Sequence, residues 1–259
     1  DNGKYEREEW IDSVLLGPSE RSIVEVWFDK AGEYQITHKT LDKTYTMGTI
    51  SVTKSPVTTS YFPVLRVNQD FINSLSLLRP LFSKPVSKKL NLTLDMMGMS
   101  QNSDSMQGMD HGSMMMGGNE SMNTKENSDD GKIEWEDTMQ MMNLMTTNKN
   151  IKWKLVDDET KTENMDINWQ FKKGDKVKMS IFNDPKSEHP MQHPIHIHGQ
   201  RFLVISTNGI PNNNLVWKDT VLVQKGDTAE LLVDMENPGE WLIHCHIPEH
   251  MEAGMVSEF

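Results

Sequence analysis

The stretch Gly239–Met255, GEWLIHCHIPEHMEAGM, sets the only cysteine of the chain between two histidines and adds a third histidine and a methionine within ten residues of it. Read as a strand, it places successive side chains on opposite faces, so His244 and His246 share one face and Cys245 points to the other. One short strand can then feed two different metal centres. A second stretch, His193–Gly199 (HPIHIHG), has the same geometry: His196 and His198 share a face, and His193 faces the other way if the strand extends that far. Pooling the two stretches gives Cys245, His193, His250 and Met255 as one donor set and His196, His198, His244 and His246 as a second.

A thiolate with two imidazoles and a weak axial thioether is the ligand set of a blue-copper electron-transfer site, and four imidazoles without a carboxylate also suit copper. Zinc takes Cys and His as readily, but a structural zinc site leaves four or five further donors unexplained. Six of the nine histidines fall in these two stretches, a concentration that histidines buried for packing alone do not produce.

Working outward, most of the remaining sequence alternates with period two, as strands with one buried face do. Val177, Met179 and Ile181 alternate with Lys176, Lys178 and Ser180, and Leu90, Leu92 and Leu94 alternate in KLNLTLD. Lys173-Gly174-Asp175 and Lys225-Gly226-Asp227 are turns, each leading into a strand. The pattern predicts an all-β chain. Residues 22 to 38 also align without gaps on residues 229 to 245, which predicts a strand–turn–strand unit occurring twice. The later copy ends its domain, so residues 1–55 are expected to be the C-terminal part of an earlier domain whose first strands precede Asp1. Residues 56–89, punctuated by Pro56, Pro63, Pro80 and Pro85, read as a linker and entry segment.

The net charge of −12 argues against a nucleic-acid partner, which requires a basic surface. No apolar run approaches the length of a membrane span, and a lone cysteine does not identify the redox compartment.

At these residues the chain resembles the multicopper oxidases, the family of laccases and bacterial cuprous oxidases. The pattern HCHxxxHxxxxM is met by His244, Cys245, His246, His250 and Met255, and HPxHxH by His193, Pro194, His196 and His198. The resemblance implies a cupredoxin-like Greek-key β-barrel over residues 90–259, preceded at 1–55 by the last strands of a middle domain without copper ligands. It implies His193, Cys245, His250 and axial Met255 as type 1 copper ligands, His196 as a type 2 ligand, and His198, His244 and His246 as type 3 ligands. Cys245, His244 and His246 would form the electron path between them. Thr37, His38 and Lys39 occupy the places of His244, Cys245 and His246 in the earlier copy. The family builds its trinuclear cluster from eight histidines in four HxH motifs, and this chain holds two such motifs. The resemblance thus implies a partner, an N-terminal portion of the same enzyme with two further HxH motifs, and an extracytoplasmic location. Met251 stands where several bacterial members carry a proton-relaying glutamate, which leaves Glu252 or Asp219 for that role.

Thirteen of the 20 methionines lie between Met96 and Met145, far denser than core packing needs. Thioethers are soft ligands for Cu(I). The insert at about 96–122 resembles the methionine-rich segment of cuprous oxidases, and Asp95, Met96, Met97 and Met99 are the expected substrate-copper ligands. Met139 and Met142, and Met141 and Met145, have helical spacing and suit an amphipathic helix equally well. The expected function is part of an oxidase coupling one-electron oxidation of a donor, Cu(I) before phenols, to reduction of dioxygen to water. The alternative is a copper-binding or copper-storage module without turnover.

Overall fold

A computed structural model of the chain describes residues 3–55, 66, 68–96, 131–135, 147 and 149–259. Near the N-terminus, strands β1 (Gly32–Lys39) and β2 (Thr44–Val52) pair as an antiparallel hairpin with an irregularity between Ile36 and Thr37. A helix, α1 (Gln69–Leu78), follows. Strands β3 (Lys88–Met96), β4 (Ile151–Asp157), β5 (Lys176–Asn183), β6 (His193–Ile197), β7 (Arg201–Thr207), β8 (Ile210–Pro211), β9 (Trp217–Lys218), β10 (Thr220–Val223), β11 (Thr228–Asp234) and β12 (Leu242–Cys245) come next. A short helix α2 (Pro248–Glu252) and strand β13 (Val256–Glu258) complete the described elements. No described helix is long and apolar enough to cross a membrane.

The strands form two larger sheets: β4-β3-β5-β11-β7-β8, with β9 also on β7, and β10-β6-β12-β13. Alternation decides which residues lie between them. Leu90, Leu92 and Leu94, Val177, Met179 and Ile181, and Leu231 and Val233 from the larger sheet share one core with Ile195, Ile197, Val221, Val223, Ile243 and Cys245 from the smaller. Each such fully buried aliphatic side chain contributes about 1.5–3 kcal/mol. The opposite face of the larger sheet supplies Leu203, Ile205 and Leu232, which pack against Phe71, Leu75 and Leu78 of α1.

Helix α1 lies within residues 56–89, the stretch read as linker and entry segment. Asn68 accepts a hydrogen bond from the Phe71 N–H as its N-cap. Phe71, Leu75 and Leu78, spaced by four and three, form its buried stripe. The repeat is corrected in part. The later copy does form two strands, β11 and β12, which lie in different sheets. In the earlier copy residues 22–28 form no strand, and Ile23, Val24, Val26 and Trp27 are exposed. The two Lys-Gly-Asp turns are present, with Gly174 and Gly226 at φ 90° and 78° before β5 and β11.

One glycine joins the two histidine-bearing strands. Gly199, directly after the HPIHIH run, has φ 64°, and a Cβ there would stand 2.3 Å from Cδ2 of the Trp241 ring. Trp241 donates from Nε1 to the Asn237 carbonyl at 3.0 Å, and Asn237 Nδ2 donates to the Gly199 carbonyl. The end of β6 and the start of β12 are therefore closed on each other through a contact only glycine permits. Gly199→Ala is expected to lower stability by about 2–5 kcal/mol, the sum of a left-handed backbone cost and overpacking, measured as a drop in urea midpoint without a change in slope.

Candidate metal centre

Antiparallel pairing of β12 with β6 sets His244 opposite His196 and Cys245 opposite Ile195. Directly opposed residues point to the same side of the sheet, so the cysteine joins the core face and the two histidines the other. His193 begins β6 opposite Val223 of β10 and shares the core face with Ile195. The Pro248-initiated turn of α2 brings His250 back onto Cys245. The return loop is fixed by hydrogen bonds from Met255 N to His250 O (2.9 Å) and from Cys245 N to Met255 O (3.2 Å).

Three donor atoms converge as a result. Cys245 Sγ lies 3.8 Å from His193 Nδ1 and 3.6 Å from His250 Nδ1, and the two Nδ1 atoms are 3.2 Å apart. All three residues are buried, as is Met255. Burial pushes the Cys245 thiol up to about 12, partly offset by the Ile247 N–H that reaches its sulfur. Burial also pushes His193 down to about 3 and His250 to about 2, with neighbouring imidazoles adding to the effect. Neutral imidazoles and a soft sulfur around one point suit a soft or borderline cation, and binding would release the thiol proton. The donor set therefore fits copper, with His193, Cys245 and His250 able to hold it.

On the opposite face, the ring centroids of His196 and His246 are 4.5 Å apart, those of His196 and His198 4.8 Å, and those of His244 and His246 4.9 Å. His196 Nδ1 donates to the Asp219 carbonyl at 2.8 Å, with Thr220 Oγ1 at 3.0 Å. His244 Nδ1 donates to the Cys245 carbonyl at 2.9 Å. Each contact fixes the tautomer that leaves Nε2 with a free lone pair. His244 Nε2 lies 2.8 Å from His198 Nε2, so in the neutral pair His198 is the donor. Burial, then neighbouring imidazoles, lowers His246 to about 4.

Asp219 also lies beside His196, with Oδ1 3.8 Å from Nδ1. Arg21 clamps its carboxylate through two hydrogen bonds of 2.8 and 2.6 Å. Burial alone would raise the carboxyl pKa, but Arg21 and Thr220 outweigh it and hold the group well below the usual carboxylate range. Glu252 is exposed. Asp95 pairs with Lys154, which Glu163 also engages at 2.8 Å, so its carboxylate is already partnered. Met96 packs against the core and donates its N–H to Glu188 at 2.6 Å. Met97, Met99, His111 and the rest of the methionine-rich insert lie outside the described residues, as do Met139, Met141, Met142 and Met145. Sequence alone gave no sign of Arg21, because its partner lies 198 positions away.

Fold and site define a mainly β chain with a buried thiol–imidazole donor set and a separate histidine group. Residues 132–259 match the family model described as multicopper oxidase. Over 70 residues the chain is 40% identical to a multicopper oxidase of Staphylococcus epidermidis, covering 26% of this chain and 16% of the relative. It is 39% identical over 68 residues to a laccase of Pycnoporus cinnabarinus, covering 25% and 13%. A solved structure titled as a multicopper oxidase and metallo-oxidase of Campylobacter jejuni shares the fold over 88% of this chain and 40% of its own, at 20% identity and a TM-score of 0.50. The matched segments thus span well under two thirds of the relatives' lengths.

In an unfolded chain an imidazole titrates near 6.5, so below that pH the unfolded state binds protons that the folded one refuses at His193 and His250. Stability of the metal-free chain should be complete above about pH 6.5 and fall towards pH 3, each histidine contributing up to about 1.4 kcal/mol per pH unit. Urea midpoints at pH 7.5, 6 and 5 check this, and His250→Gln should flatten the dependence.

Proposed function

We propose that this chain is the C-terminal part of a copper oxidase that takes single electrons from a donor and passes them to dioxygen, forming water. The convergence of His193 Nδ1, His250 Nδ1 and Cys245 Sγ, with Met255 buried beside them, carries the reading. Copper bound there would supply one-electron redox chemistry at a site closed to water. The chain's own part is to hold two neutral imidazoles and a thiol in place before any metal arrives. On this reading Cys245 belongs to the donor trio, while His244 and His246, its neighbours in sequence, belong to the group formed with His196 and His198. That short covalent link is the basis for assigning these three residues to electron transfer. Asp219, ionised next to His196, is the better placed proton-relay candidate; Glu252 faces solvent.

We assign residues 90–259 to a cupredoxin-like Greek-key barrel and residues 1–55 to the end of a second, copper-free domain. The four-histidine group corresponds to half of the family's trinuclear cluster, and the partner that completes it is an N-terminal portion with two further HxH motifs. Its expected location is extracytoplasmic. Cu(I) is the proposed donor on the strength of the methionine-rich sequence, with phenols second. A copper-binding module without turnover is the competing reading, favoured by the histidine count.

Titration with Cu(II) should give an intense blue thiolate-to-copper absorption that Cys245→Ser abolishes; copper binding without such a band would overturn the type 1 assignment. Copper-loaded chain alone should consume little oxygen with a one-electron donor, and consumption should rise when an N-terminal fragment with two HxH motifs is added. Sustained four-electron turnover without that fragment would contradict the half-cluster assignment.

A further inference from the structure

The two histidine groups are oriented by different means. His196 and His244 each have one ring nitrogen held by a carbonyl, at 2.8 and 2.9 Å. Such a hydrogen bond to the nitrogen remote from the metal is the usual way a protein fixes a ligating imidazole. None of the described residues gives such a bond to His193 or His250. Among the described residues their hydrogen-bond contacts run only through Nδ1, to each other and to Cys245, and no partner holds Nε2 of either ring.

Trp153 takes that place. From β4 its side chain alternates inward with Ile151 and Leu155 and is 5% exposed. Its ring lies on the His250 ring with centroids 3.7 Å apart at 21°, and meets His193 edge-on at 5.2 Å and 71°. The indole itself is anchored through its backbone. Trp153 N donates to the Ala253 carbonyl at 3.0 Å, directly after α2, and its carbonyl accepts from Asn164 Nδ2 at 3.0 Å. Gly254 permits this approach, since a Cβ there would stand 3.1 Å from the Trp153 carbonyl and 2.9 Å from Asn164 Nδ2. The strand that carries the indole and the turn that carries His250 therefore move as one piece.

We propose that Trp153 is the positioning residue of the Cys245–His193–His250 site, clamping both imidazoles by aromatic contact where hydrogen bonds to their outer nitrogens are missing. A flat, polarisable ring 3.7 Å from His250 restricts rotation about the bond that would swing Nδ1 away. An aliphatic side chain of similar bulk could fill the space but would leave the ring planes undetermined.

The proposal rests on the copper reading, and the test separates the two. Cu(II) affinity, the absorption band and the reduction potential are measured for the 259-residue chain and for its Trp153→Phe and Trp153→Leu variants. Trp153→Leu should bind on the order of 10–100-fold more weakly, with a weakened or shifted band and an altered potential. Trp153→Phe, which keeps a ring, should restore affinity to within a few-fold and preserve the band. A folded Trp153→Leu variant with wild-type affinity, band and potential would overturn the proposal. Ring relaxation of 13C-labelled His250 in the metal-free wild-type chain supplies a second arm that needs no variant. The proposal requires a ring as ordered as the backbone, and a freely reorienting ring would overturn it even if Trp153→Leu does not fold. A wild-type chain without a blue band would instead sink the copper reading, and ring order would still decide whether Trp153 clamps the histidines.

Discussion

The register between β6 and β12 is the constraint on which both metal-binding faces depend. With His244 opposite His196 and Cys245 opposite Ile195, the cysteine and the paired histidines separate to opposite sides of a single sheet. A slip of one residue would turn Cys245 outward and press His244 and His246 into an apolar core. The register is held at several points: by Ile195, Ile197 and Ile243 inside the core, by the Trp241–Gly199 contact at one end, and by His246 N donating to the Pro194 carbonyl at 2.8 Å at the other. The chemistry of the site is in this sense a property of strand pairing, and the donor atoms follow from it.

Much of this arrangement could be read from the sequence because period two is a geometric property of strands. The alternation of His196 with His198, and of His244 with His246, places them on one face wherever a strand forms; β6 and β12 contain His196 and His244, and His198 and His246 follow directly after the strand ends. The leucines of β3 and the Val177, Met179 and Ile181 series were legible for the same reason. Where less was legible, a local pattern competed with a less conspicuous one. Four prolines mark residues 56–89 as linker and entry segment more plainly than Asn68 and the Phe71, Leu75 and Leu78 stripe mark a helix within it. The similarity of residues 22–38 to 229–245 does not say which strand will be the partner. Residues 22–28 find none among the described residues, whereas 228–234 lie between two strands in the larger sheet.

What supports the donor atoms was hidden for a different reason. Trp153 could be recognised as a core residue from its alternation with Ile151 and Leu155, but its contact with His250 spans nearly a hundred positions and depends on how α2 turns back. Asp95 illustrates the reverse case. Its position beside the methionines marks it as an expected copper ligand, and in the fold it also pairs with Lys154 of the neighbouring strand. Sequence shows which donors are available, while tertiary contacts decide which of them are already engaged.

The clamp between Arg21 and Asp219, with Glu20 and Lys218 paired beside it at 2.9 Å, also bears on the order of assembly. Its partners are 198 positions apart, and closing so long a loop is among the slower, entropically costly steps of folding. During synthesis the arginine is made early and has nothing to grip until the strand after Lys218 exists. In a refolding chain the His196 environment therefore waits on a loop closure of 198 positions, whereas Cys245 and His250 on the other side of the sheet are only five positions apart.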